Sequence, residues 1–239
     1  MTRRRWIADE ASANTAALIG DHAAHLARVL RAQVGQEFDI AVADGVRRGT
    51  VLSISPERVE FALGEEVSGV LRSVELTLVL AIFKFDRMEW AIEKCTEIGV
   101  ARIVPLIARR TDAHLAAAAM KRRQRWERVA LSAAEQSRRA APPEILAPLP
   151  LRDFLISSQS WPAARIVLSE SEEEVRLRDV TLGTRDGAAL AVGPEGGWTS
   201  DELAGFRDAG WKTVSLGPTI MRAETAAIVG AAIALDILR

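Results

Sequence analysis

The chain has 239 residues, 49% hydrophobic and 26% charged, a globular composition with material for one large domain or a small one and a medium one. No run of about 18 uncharged apolar residues occurs, so no membrane span is expected, and Arg3, Arg4 and Arg5 lack the apolar stretch that a signal peptide needs after them. Cys95 is the single cysteine, so no intramolecular disulfide can form, which points to the cytoplasm.

Net charge is −1, yet it is unevenly spread. Residues 1–70 carry 8 basic and 10 acidic side chains, residues 84–139 carry 13 and 7, and residues 140–239 carry 9 and 14. The middle third is therefore basic, which suits either a solvated helix face or a surface that attracts nucleic acid.

The first 70 residues read as β-rich. A short helix is predicted from His22 to Arg31, with Asp21 as its N-cap and Leu26, Val29 and Leu30 inward. Glu37–Val42 alternates with period two, and Asp44-Gly45 after it is a hairpin signal. Thr50–Ile54 and Val59–Leu63 are further strands, and Gly64 to Gly69 is read as a linker. Short strands between turns suggest a small barrel.

From residue 74 the pattern changes. Val74–Ile82 is nearly continuous apolar, as a buried parallel strand is. Asp86 to Ile98 is a helix with Met88, Ala91, Ile92, Cys95 and Ile98 on one face and Gly99 as C-cap. A strand at 102–107 and a helix at Lys121–Arg139 follow, the helix with Trp126, Val129, Ala130, Ala133 and Ala134 inward and a basic opposite face. Strands are expected at 164–168, 188–192 and 213–216, with a helix at Ser200–Ala209 closed by Gly210. An Ala-rich helix, from about Ala223 to Leu238, ends the chain. Alternating strands and helices imply an α/β domain with a mainly parallel sheet. The Ala116–Ala119 run has no evident meaning. Trp90, Trp126 and Trp211 are assigned to the core, and Glu170, Glu172, Glu173 and Glu174 to a solvated loop. Cys95 is read as a small buried hydrophobe. His22, His25 and His114 are too scattered for a metal cluster, and no metal is expected.

Two segments carry chemistry. The strand 188–192 runs into Gly193-Pro194-Glu195-Gly196-Gly197, and a helix begins just beyond. Ligands of open α/β sheets bind beyond the carboxyl ends of the strands, where glycines let backbone come close. The sequence is neither a P-loop nor a Gly-x-Gly-x-x-Gly fingerprint. Alone it fits a turn as well as a site. A second strand ends in Leu216-Gly217-Pro218, with Arg222 and Glu224 at the start of the last helix. Two Gly-Pro loops at neighbouring strand ends make one pocket; the bland alternative leaves Arg222 and Glu224 as a surface ion pair.

With Ile220-Met221-Arg222-Ala223-Glu224-Thr225-Ala226 these segments resemble the ribosomal RNA small subunit methyltransferase E family of the SPOUT methyltransferases. Lys84 through Met88, Lys94–Val100, Ile103-Val104-Pro105, Trp126-Glu127-Arg128, Glu135–Arg139, His25–Arg31 and Asp44-Gly45 fit too, so the resemblance covers nearly the whole chain. Thr219 and Ala223 depart from it: the family usually has Arg and Thr there.

The resemblance implies a SPOUT-type α/β knot, a C-terminal trefoil knot in a mainly parallel sheet, over residues 71–239. A small PUA-like β-barrel domain, RNA-binding, would precede it over residues 1–70. It implies S-adenosyl-L-methionine as cofactor, held by Val192, Gly193, Pro194, Glu195, Gly196, Gly197, Leu216, Gly217, Ile220 and Met221, with a bulky residue at Gly196 blocking the pocket. It implies a cytoplasmic homodimer that methylates N3 of one uridine in 16S rRNA of the small ribosomal subunit. Arg222 is expected to stabilise the uracil anion and Glu224 or Glu195 to accept the proton. RNA would be gripped by the barrel and by Arg31, Arg109, Arg110, Lys121, Arg122, Arg123, Arg125, Arg138 and Arg139. Three alternatives stand: a SPOUT enzyme acting on tRNA or a ribose 2'-hydroxyl, an RNA-binding ribosome assembly factor without activity, and a small-molecule enzyme with a nucleotide pocket.

Overall fold

The computed structural model describes residues 5–42, 45–67, 75–157, 164–182 and 187–238. The chain forms two units, one of residues 1–72 with 134–142, the other of residues 73–133 with 143–239. The sequence reading had assigned 134–142 to the second.

In the first unit, three short strands come first: β1 (Arg5–Ile7), β2 (Glu10–Ala11) and β3 (Thr15–Ile19). The helix expected at 22–31 is a single α turn, α1 (Asp21–Ala24), continued by a π-helical turn over His25–Val29. Its N-cap is Gly20 at φ 59°, a left-handed conformation that glycine adopts at no steric cost, and not Asp21. Strands β4 (Glu37–Val42), β5 (Gly45–Ile54) and β6 (Arg58–Glu66) follow. The expected linker thus begins as strand: residues 64–66 belong to β6, and 68 and 69 lie outside the described residues, as does Asp44 of the hairpin signal. The sheet order is β1-β4-β5-β6-β3-β2, antiparallel except for β1 with β4. Alternate residues turn inward, and Leu18, Leu26, Ile40, Val59 and Phe61 are wholly buried. Residues 134–142 join this unit through side chains: His22 sets one ring nitrogen 3.2 Å from Asp9 and the other 3.3 Å from Glu135, and Arg5 donates to the Arg138 carbonyl.

In the second unit, β7 (Leu76–Ala81) is buried at every position. It leads to α2 (Phe85–Ile98), closed by Gly99 at φ 115°, and then β8 (Arg102–Ile107). Helix α3 (Ala113–Gln136), whose residues from 134 on count with the first unit, begins eight residues earlier than expected, because the alanine run is a strong helix former and supplies its first turns. Short strands β9 (Glu144–Ile145) and β10 (Leu149–Pro150) and helix α4 (Leu151–Ser157) precede β11 (Ala164–Leu168) and β12 (Ala188–Val192). Helix α5 (Ser200–Asp208), β13 (Lys212–Val214) and α6 (Ala223–Leu238) complete the unit.

All strand pairs here are parallel, in the order β10-β8-β7-β12-β11-β13 with β9 also on β8. Alternate residues feed opposite faces. Leu76, Leu78, Leu80, Leu190 and Val192 pack with Met88, Trp126, Ala227 and Ala231 of α2, α3 and α6. Val79, Ala81, Ala189 and Ala191 pack with Phe154, Phe206, Trp198 and Trp211 on the α4–α5 side. Both faces covered is the reason the strands read as continuous apolar runs. Trp90 departs from its assignment: it is 46% exposed on α2, whereas Trp126 and Trp211 are buried.

Candidate active site

Three neighbouring strands, β12, β11 and β13, end at the same edge of the sheet, and a cleft opens beyond their carboxyl ends. The sequence foresaw two of its walls. The first is the loop after β12, where Val192, Gly193, Pro194, Glu195 and Gly197 line the cleft. A Cβ at Gly193 would lie 3.2 Å from the Trp198 ring. That indole donates to the Leu168 carbonyl at 3.1 Å, tying the loop to the end of β11. Gly197, at φ 69°, donates to the Pro194 carbonyl at 2.8 Å, which closes the turn.

The second wall is the segment after β13. Leu216, Gly217, Thr219, Ile220 and Met221 line the cleft. Gly217 has φ 141°, again left-handed. Arg222 is exposed and not among the lining residues; its carbonyl accepts from the Ala226 amide at 2.9 Å and so opens α6. The third wall was missed. Leu168, Ser169, Glu170 and Ser171, after β11, line the cleft; the acidic run is solvent-facing as expected, with Glu170, Glu173 and Glu174 exposed, but Glu170 also meets the cleft. Its signal was the position alone: one more buried strand ending at the same edge. Glu172 does have a local role, because its carboxylate accepts from the Val175 and Glu174 amides, which lower its pKa.

Two arginines hold the glycine-rich loop. Arg110, expected on RNA, donates to the Gly196 and Trp198 carbonyls. Gly196 therefore faces Arg110 and does not line the cleft, alone among the expected cofactor residues. Arg87, within the resembling stretch Lys84–Met88 but given no site role there, bonds Glu195 at 2.7 Å and lies 3.8 Å from Glu224. Glu224 is 5% exposed, and its Oε2 has no hydrogen-bond partner. The expected alternative of an Arg222–Glu224 surface pair is thus replaced by a buried carboxylate with a different cation. Thr199 and Glu202 form a capping box on α5, and Glu202 also accepts from the Arg109 amide at 2.7 Å.

The other expected RNA residues divide. Arg122 and Arg125 both pair with Glu89, and Arg122 also lies over the Phe85 ring. Arg123 pairs with Glu127. Arg109 and Lys121 are exposed and form no ion pair among the described residues. In the first unit, Arg31 and Arg138 adopt positive φ, and burial lowers the pKa of Arg139. Cys95 is buried and its thiol is pushed up to about 12 by desolvation. Among the described residues no His, Cys, Asp and Glu side chains group as a metal site, and no helix is long and apolar enough to cross a membrane.

A model of the RNA methyltransferase domain matches residues 71–235. The chain is 34% identical over 220 residues to the ribosomal RNA small subunit methyltransferase E of Mycobacterium bovis, an alignment spanning 88% of this chain and 82% of that protein. The chain belongs to the ribosomal RNA small subunit methyltransferase E family. The family's Aquifex aeolicus member is 32% identical over 208 residues, covering 84% of this chain and 86% of that one. A crystal structure of the Neisseria gonorrhoeae member bound to S-adenosyl methionine superposes with a TM-score of 0.83 at 29% identity, covering 97% of this chain and 96% of that one. That family fold covers both units described above.

Proposed function

We propose that the cleft binds S-adenosylmethionine and that the protein methylates N3 of one uridine in 16S rRNA of the small subunit. The observation that carries this reading is the cleft itself, walled by two glycine-bearing loops and the end of β11. The residues suit the cofactor: the backbone at Gly193 is bare, and a Cβ there would press on the Trp198 ring at 3.2 Å, and Leu216, Ile220 and Met221 give an apolar wall while Ser169, Glu170 and Glu195 give polar groups. When bound, the cofactor supplies an electrophilic methyl group on a sulfonium.

The chain's own residues do the rest. N3 of uracil bears a proton and becomes nucleophilic only on losing it. Glu195 lines the cleft and is the carboxylate we assign to accept that proton, directly or through water. Glu224 lies buried, one ion pair away across Arg87. Arg222, exposed at the start of α6, is assigned to the anion that develops on the uracil oxygens, since its guanidinium is charged at any working pH. Arg109 and Lys121, exposed and unpaired among the described residues, are assigned to phosphates.

The same reading includes a PUA-like barrel over residues 1–70 and a trefoil knot within 71–239. The mostly antiparallel six-stranded sheet supports the first. The second is supported by the path of the chain, which leaves β12, crosses to β13 on the far side of β11, and returns as α6 over β12 and β7. It also includes a cytoplasmic location and a homodimer, the latter supported by Ile220, which lines the cleft yet is 81% exposed in the single chain; sedimentation at a single species of twice the chain mass is the expected result.

The test is transfer of labelled methyl to small subunits lacking the modification, with the methylated atom identified by mass spectrometry. Methyl on a ribose hydroxyl or on tRNA would reassign the substrate. Thr219, where the resemblance implies Arg, lines the cleft, and this favours a second reading, a binding factor without activity. RNA binding with no transfer would establish it.

A further inference from the structure

We propose that Arg87 is a positioning residue that fixes the spacing between the glycine-rich loop and the start of α6, and thereby the shape of the cleft. The inference rests on the proposed function for its ligand but on the geometry for its mechanism. Arg87 lies in the first turn of α2, which follows β7, the strand that pairs with β12. Its Nη1 bonds Glu195 at 2.7 Å, and its Nε lies 3.8 Å from Glu224. The first is a charge-assisted hydrogen bond; the second is an ion pair beyond hydrogen-bond length.

The two carboxylates belong to different walls. Glu195 sits between Pro194 and Gly196 in a turn closed by the Gly197–Pro194 hydrogen bond, and Arg87 ties its side chain to α2. Glu224 sits in the first turn of α6, and α6 packs on α2 through Ala227 and Ala231 in the core that contains Met88 and Ile92. A guanidinium presents donors on more than one edge of a rigid plane, so one residue on a packed helix can serve both. A lysine carries the same charge at a single point.

Glu224 also needs a cation. A carboxylate that is 5% exposed, with one oxygen lacking any hydrogen bond, is costly to bury alone. Arg87 is the basic side chain beside it among the described residues, and the positive end of α6 adds a smaller contribution. Arg87 therefore has two separable roles. Its charge stabilises Glu224, and its fork holds Glu195.

The experiment uses the full chain and reads cofactor affinity by calorimetry, kcat and KM by methyl transfer, and thermal unfolding without cofactor. Arg87→Met is expected to weaken S-adenosylmethionine binding about tenfold, a shift of about 1.4 kcal/mol, and to raise KM for the cofactor more than it lowers kcat. It is also expected to lower the unfolding temperature. Adding Glu224→Gln should restore much of that temperature, because it removes the uncompensated charge, without restoring affinity. Arg87→Lys should recover the unfolding temperature and only part of the affinity. Strictly additive unfolding effects of Arg87→Met and Glu224→Gln overturn the assignment, whatever the cofactor does, and so does unchanged affinity in Arg87→Met. A wild-type protein that binds no S-adenosylmethionine overturns the proposed function instead, while the unfolding cycle still decides the Arg87–Glu224 coupling.

Discussion

The two units use strands in opposite ways. In the first unit β6 alternates buried and open positions over its first six residues; in the second, β7 and β12 are buried throughout. An antiparallel sheet joined by hairpins can leave one face to solvent, whereas a parallel sheet needs crossovers that cover both faces. Parallel strands bring several carboxyl ends to one edge, and the connecting loops there make a shared cleft. In the first unit the described strands, β1 with β4 apart, pair antiparallel, so neighbouring carboxyl ends point to opposite edges. The candidate catalytic and cofactor residues all fall in the second unit, and the first contributes only candidate RNA contacts.

The largest expected effect would break that comparison if it failed. Gly193→Leu should weaken S-adenosylmethionine binding by about 100-fold or more, near 2.8 kcal/mol, because its side chain meets the Trp198 ring. Gly196→Leu should be milder, since a Cβ there meets the Arg110 side chain, which can move. Calorimetry on both variants checks the order, and equal losses would put Gly196 back in the pocket wall.

Next come paired substitutions, one in each unit. A Cβ at Gly230 would lie 2.9 Å from Leu168 Cδ1, and one at Gly49 2.4 Å from Ile40 Cγ1. Each change to Val should cost about 1–3 kcal/mol by overpacking. Hydrogen exchange should show Gly230→Val loosening β11 and β12, and Gly49→Val loosening β4 and β5. Trp198→Phe removes the indole bond to Leu168 and should cost about 1 kcal/mol in unfolding free energy. Cys95 should resist alkylation in the native protein at pH 8 and react on unfolding. Its thiol keeps its proton to about 12 when folded, so stability falls as pH rises above the unfolded thiol value near 8.5. The smallest effect is at Arg109 and Lys121: neutralising each should lower the salt slope of RNA binding by about one, if each meets a phosphate.

Much of the second unit was legible because hydrophobic runs and periods are local. The strands at 102–107, 164–168 and 188–192 and the helix at 223–238 match the expected spans. The strands β1 and β2 were not legible, being too short to display a period; β3, as long as β11, was not because its buried residues are consecutive and two of its five are alanine; and the π-helical turn was not, since α and π turns differ by backbone bonds that composition does not encode. In the site, the two glycine-bearing loops stood out by composition. Ser169 and Glu170 did not, because only the position of β11 between β12 and β13 brings them to the cleft.

The sequence by itself determined the kinds of elements, the change from alternating to continuous apolar strands, and the loops around Gly193 and Gly217. The tertiary structure alone decided which charges meet. Arg87 lies 108 residues from Glu195, and Arg110 lies 86 from Gly196; no local pattern links either pair. Ion pairs depend on separations of a few ångströms set by strand order and helix packing, and those distances exist only once the chain has folded.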